Sequence, residues 1–319
     1  MLLVSWWLIP WLKLMTYFGF LLRFIGVPLA ILALLTLWDW RQGRTLPADL
    51  RKLPAPWVLL THVVLAVLWT TPWDNYLVAT RVWWYNPRLV SGLTLGWVPI
   101  EEYTFFVVQT LLTGSWLLWV ARRLPALAEP APQGPAKVFI SSLRAQRSNL
   151  SHGATVRLLR RPAPSNDPKS DFDIALPAPS RPRLRLAAAL LFGAIWLGAV
   201  IVLLARWRPG TYLGLELGWF LPPIILQLLV GADLLWQRRR LVALAWLPAV
   251  VYLSAADSLA IGAGTWTIAP AQTTGLLLGG VLPVEEVVFF ALTNTLIVFG
   301  MVLMLGTDSA VVRRLLRRL

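Results

Sequence analysis

The 319 residues are 57% apolar and include 19 Trp, with a mean hydropathy of +0.65; soluble domains hold nearer to about 45–50% apolar residues, so most of this content must face lipid or other spans. With no Cys, disulfides, thiolate metal sites and Cys nucleophiles are excluded. The net charge of +14 lies between and after the apolar runs, where it sets topology and meets anionic lipid, and no nucleic-acid partner is expected.

The apolar start, Met1 to Trp11, lacks a basic beginning and a small-residue cleavage site, and so does not read as a removed signal peptide. Seven apolar runs are long enough to span, about 16–38, 56–73, 98–120, 184–206, 212–235, 241–257 and 274–305. The predicted fold is therefore an all-α polytopic membrane protein. A Pro/Ser/Arg-rich segment at 128–183 cannot bury enough apolar surface to fold alone and reads as a disordered linker. Within it, Ile140–Asn149 looks like a translated genomic repeat. Arg41, Arg44, Arg51 and Lys52, the linker, Arg238–Arg240 and Arg313–Arg318 share one side, which places the N-terminus outside and the C-terminus in the cytoplasm.

The chain also repeats itself. Asp74 precedes Pro99-Ile100-Glu101-Glu102-Tyr103-Thr104-Phe105-Phe106, and Asp257 precedes Pro283-Val284-Glu285-Glu286-Val287-Val288-Phe289-Phe290. Trp84 and Trp266 lie between in the two copies, and Tyr17 and Tyr212 open comparable first helices. Two units of three spans, joined by one more, make a 3+1+3 parallel tandem repeat. The expected parts are a first unit at 1–127, the linker at 128–183, a connecting span at 184–209 and a second unit at 210–319.

Pro suits the first turn of a helix, and two carboxylates there gain from the helix N-terminus. Capping does not require the same aromatics twice, however. Residues four apart share a face, so Glu101 lies under Phe105 and Glu102 under Phe106, as do Glu285 and Glu286 under Phe289 and Phe290. Adjacent carboxyls in a low-dielectric pocket cannot both ionise easily, which leaves an acid beside a base. Aromatic faces attract cations. Acid, base and aromatic walls in a membrane suit protonation of an alkene, a carbocation and a final proton loss. Asp74 and Asp257 are further candidate acids or supports, Trp84 and Trp266 candidate cation stabilisers, and Arg23 reads as snorkelling to the outer edge, with Glu216 a candidate partner. His62 reads as a satisfied helix residue. No Gly-x-Gly-x-x-Gly follows a strand and no paired Asp-rich diphosphate motif is present. With only His62 and His152, a His metal site is not expected.

The two Glu-Glu elements, Asp74-Asn75 with Trp83-Trp84-Tyr85, and the duplicated unit resemble the small membrane lycopene cyclases, the heterodimeric-type carotenoid cyclases of bacteria with fused forms in archaea and fungi. The chain looks like a fused form. The resemblance covers about 14–120 and 210–306 and implies redox-neutral closure of lycopene ψ ends to β-ionone rings with no cofactor. It makes Glu101, Glu102, Glu285 and Glu286 the expected acid/base residues. The first copy is the expected acid, because the second has Gly264-Thr265-Trp266 where the first has Val82-Trp83-Trp84-Tyr85. Expected partners are the carotenoid substrate, the bilayer and other carotenoid enzymes, in a bacterial inner membrane. Three other readings compete. A small-solute transporter would line a polar path through both leaflets, whereas the polar residues here sit at one depth. A Glu-Glu intramembrane protease needs Arg and His that are absent. A cyclase for C50 or ε-ring products shares the chemistry.

A reporter fused after Leu319 is expected to read cytoplasmic, and one in the Arg81–Arg88 loop external. A cytoplasmic reading at both would show a miscounted span.

Overall fold

The computed structural model describes residues 15–127 and 181–306. Residues 128–180 of the linker, with Ile140–Asn149, and the basic tail from 307 onward lie outside the described residues. Among the described residues, seven helices are long and apolar enough to cross a membrane: α1 (Tyr17–Arg41), α2 (Ala55–Ala79), α3 (Ile100–Ala121), α4 (Pro182–Leu204), α5 (Thr211–Gln237), α6 (Arg239–Ala263) and α7 (Val284–Gly306). The chain is a multi-pass membrane protein.

The helices divide by what they bury. In α3 and α7, 61% of the apolar window is buried, against 17% in α2 and 11% in α4. Thus α3 and α7 form the centre. Hydrogen bonds cross between them, from Gln109 Nε2 to Thr293 Oγ1 at 3.2 Å and from Thr113 Oγ1 to Asn294 Oδ1 at 2.6 Å. Gln109 and Thr293 each stand eight residues beyond the first Glu of their element, so like positions meet. On the outside, α4 lies against α5, where Gly214 leaves room for Leu203. Most of its surface is left for lipid, as its even hydrophobicity requires.

Short hairpins precede α3 and α7. Strand β1 (Trp83–Tyr85) is followed by β2 (Thr94–Leu95) and β3 (Val98–Pro99), and β4 (Trp266–Ile268) by β5 (Leu277–Leu278) and β6 (Leu282–Pro283). Here the structure corrects the seventh span, expected from 274. The run Leu276-Leu277-Leu278 is apolar but extended, because Gly279 and Gly280 take positive φ (59° and 75°) and turn it into a hairpin before Pro283 admits the helix. Gly96 does the same in the first hairpin at φ 68°. It also leaves no room for a Cβ, since Asn75 Oδ1 lies against it and accepts from Trp97 N at 2.7 Å. Strands β1 and β4 pair antiparallel about Trp84↔Thr267 and join the two loops.

The opposite end of the bundle is tied by ion pairs. Arg123 forks onto Asp39 through two 2.9 Å bonds, Arg185 grips Asp233 at 2.8 and 2.9 Å, and Arg238 pairs with Asp49 and donates to Pro125 O. Asp39 is fully buried with Arg44 and Arg122 also near it. Asp39→Ala strands this cluster and is expected to cost about 3 kcal/mol, read as a lower unfolding temperature in detergent. An unchanged midpoint would show that the cluster contributes nothing.

Candidate active site

Pro99 and Pro283 each sit just before a helix in extended backbone that the short hairpin supplies. The two carboxylates that follow are therefore in the first helical turn, and both of each pair are buried. Adjacent residues point about 100° apart on a helix, and this separates their tasks. Glu101 Oε1 turns back to accept from Ser91 N at 2.5 Å. Glu285 Oε1 likewise accepts from Thr274 N at 2.6 Å and Thr274 Oγ1 at 2.8 Å. Glu102 and Glu286 turn inward. Tyr17 Oη donates to Glu102 Oε2 at 2.6 Å, Tyr85 Oη to the same oxygen at 3.0 Å, and Tyr212 Oη to Glu286 Oε1 at 2.7 Å. Burial first, and then the Glu102 and Asp74 charges, push the Tyr85 hydroxyl well above the ordinary phenol range, so it remains a donor. The carboxyls that face each other across the site are thus Glu102 and Glu286, one from each copy, rather than the neighbours within a pair.

Glu102, Glu286 and Asp257 line one small cavity of about 40 Å³ whose walls are aromatic, including Tyr17, Phe20, Trp83, Phe105, Trp266, Phe289 and Phe290. Trp266 packs on Tyr17 (centroids 4.9 Å) and edge-on to Phe20 (5.4 Å). Trp73 stacks flat on Phe289 at 5.5 Å. Of the expected aromatic residues, Phe105, Phe289, Phe290 and Trp266 reach this cavity. Phe106 lines a deeper one. Trp84 faces an outer cleft with Arg81 and Trp97. The reason is strand periodicity: side chains alternate, so Trp83 and Tyr85 turn inward and Trp84 turns away. The counterpart of Trp266 is accordingly Trp83, and both follow their Asp by nine residues.

The aspartates differ. Asp257 Oδ1 accepts from Trp266 Nε1 at 3.0 Å. Asp74 is wholly buried with no hydrogen-bond partner on either oxygen among the described residues, and lies within electrostatic reach of Glu102 and Glu286. The candidate Arg23–Glu216 partnership does not form: Arg23 is exposed, while Glu216 is wholly buried and neither of its oxygens has a hydrogen-bond partner among the described residues. One turn from Tyr212 on α5, Glu216 interacts electrostatically with Glu286 and Glu285. Sequence reading missed the hydroxyls of Tyr17, Tyr85 and Tyr212 as carboxyl partners. The usable signal was a Tyr at the start of the first helix in both copies.

No protein-family model matches the chain, and no solved structure matches it. A lycopene beta-cyclase of Halobacterium salinarum is 34% identical over 288 residues, covering 90% of this chain and 95% of that protein. A bifunctional lycopene cyclase/phytoene synthase of Podospora anserina is 31% identical over 240 residues, covering 75% of this chain and 33% of the fungal protein. One of Colletotrichum graminicola is 33% identical over 239 residues, with 75% and 34% covered.

The hydrogen bonds predict unequal effects of removing a hydroxyl. Tyr212→Phe removes the one phenol donor from Glu286 and is expected to cost about 1–3 kcal/mol. Tyr17→Phe leaves Glu102 with Tyr85 and is expected to cost less. Thermal unfolding of the two variants in detergent checks the order, and the reverse order would show that these bonds do not set it.

Proposed function

The chain belongs to the lycopene cyclase family, and on that premise we propose that it closes the ψ end groups of lycopene into β-ionone rings within the membrane. The observation that carries this reading is the placement of Glu102 and Glu286, each held by a tyrosine hydroxyl, in one buried cavity with aromatic walls. One of them, as a carboxylic acid, gives its proton to the terminal alkene. The resulting tertiary cation is attacked by the neighbouring double bond, which closes the ring and moves the cation onto it. A carboxylate then removes a proton from the adjacent carbon, and the ring double bond forms. One proton enters and one leaves, no electrons are gained or lost, and no cofactor is consumed. Phe105, Phe289, Phe290 and Trp266 lie where their negative faces can stabilise the cation.

Glu101 and Glu285 brace the loops that close the cavity, and Asp257 and Asp74 support its charge balance. The two three-span units are proposed to be parallel copies joined by α4, with the acids near the outer membrane edge and the segment at 128–180 acting as a spacer. The recurrent Tyr-to-Glu and loop-to-Glu hydrogen bonds support the duplication, and the short basic clusters support the orientation. Ring closure in deuterated water is expected to place one solvent-derived deuterium in each ring.

Glu102→Gln and Glu286→Gln keep shape but remove the exchangeable acid. Each is expected to slow ring formation, the acid by about 10²–10⁴-fold, at normal protein level in lycopene-accumulating cells followed by pigment chromatography. Glu101→Gln and Glu285→Gln are expected to lose less. Rings formed at the wild-type rate by both inward-facing variants would remove these residues from the mechanism.

A further inference from the structure

The acid cavity is small for its proposed task. Its volume of about 40 Å³ accommodates only about three or four waters, at roughly 10–15 Å³ each on this measure. That is too little for an isoprenoid end group, and the chain behind it needs a place as well. Directly below lies a second cavity of about 270 Å³ that shares Phe289 as a wall with the first. One side is α2, from His62 to Thr70, the other is α5 at Phe220, Pro223 and Gln227, and α3 and α7 form the floor.

Its polar side chains are largely spent on the protein itself. The hydroxyls of Thr70, Thr110 and Thr293 donate to carbonyls of their own helices. Gln109 donates to Thr293, and Gln227 to Leu296 O. What faces the space is mostly carbon, which suits a hydrocarbon and not a polar solute. Leu65 and Leu68, also on its lining, are 53% and 67% exposed, so the cavity reaches the lipid-facing surface. Both side walls carry proline beside an aromatic residue that packs on the shared Phe289: Pro72 precedes Trp73 in α2, and Pro222 and Pro223 follow Phe220 in α5. Proline removes ladder hydrogen bonds and bends a helix, which eases parting of these walls.

We propose that this cavity is a lateral port that admits the linear polyene from the bilayer and holds its chain during cyclisation, with Phe289 as the gate to the acids. The inference rests on the cyclase reading and adds where the chain lies. A lipid acyl chain is the competing occupant.

Ala66 lines the port from α2, and Ala66→Trp fills part of it without touching the acids. In membranes at equal protein level, kcat/KM for lycopene is expected to fall about tenfold or more, chiefly through KM. Lycopene co-purifying with the Glu102→Gln/Glu286→Gln protein is expected to fall in parallel. Leu190→Trp, on the lipid face of α4, is expected to change neither. Leu296→Phe, from the α7 floor, repeats the test if Ala66→Trp does not accumulate. Wild-type kinetics and wild-type lycopene content in the plugged variants would overturn the port and leave the cavity to lipid. So would lost turnover with lycopene still bound. Failure of the wild-type protein to form rings would sink the cyclase reading itself.

Discussion

Buried carboxyls without a cationic partner are the constraint on which the site depends. Among the described residues the ion pairs, Asp39 with Arg123, Asp49 with Arg238 and Asp233 with Arg185, lie at the end of the bundle away from the Glu pairs. At the other end Glu101, Glu102, Glu285, Glu286, Asp74, Asp257 and Glu216 are all buried, and the donors that meet them are hydroxyls, an indole and backbone N–H groups. A guanidinium would lock a carboxylate in its charged form, whereas a phenol donates to a carboxylate or accepts from a carboxylic acid. Neutral partners therefore allow a proton to come and go without an ion pair having to break.

The duplicated motif builds one cavity from two halves, and the halves are not copies in detail. Tyr85 reaches Glu102, while the corresponding place in β4 is Ile268, which cannot donate. Trp266 donates to Asp257 Oδ1, while among the described residues the indole N–H of Trp83 and both oxygens of Asp74 lack partners. Four residues after Tyr212 stands Glu216, and four after Tyr17 stands Leu21. Acid and base in a cyclisation have different tasks, at the start and at the end of the reaction. In the proposed mechanism two unequal carboxyls would supply that difference, which two identical sites would not.

Much of this was legible in the sequence because the membrane imposes long, uniform signals. Seven apolar runs and a repeated Pro-x-Glu-Glu-x-x-Phe-Phe element are readable wherever the spans end. What was hidden depended on side-chain direction. The step from Trp83 to Trp84 reverses the face of a strand, and composition does not reveal that β1 is extended. Likewise, adjacency suggested that Glu101 and Glu102 share a proton, while helical rotation sends one to the loop and the other to the cavity. The run at Leu276–Leu278 read as helix because apolarity alone does not separate a short strand from a span; the glycines after it decide the matter.

Depth joins these features. The first turns of α3 and α7 put Glu102 and Glu286 at the bundle end closed by the β1–β4 pair. The larger, carbon-lined cavity lies further down the same helices, around Gln109 and Thr293. An end group that must be protonated and a polyene that must stay out of water need different surroundings a short distance apart. In the proposed reaction, two central helices that begin with carboxylates and continue with aromatic and small hydroxyl side chains would provide both along a single axis, because the two cavities they line share Phe289.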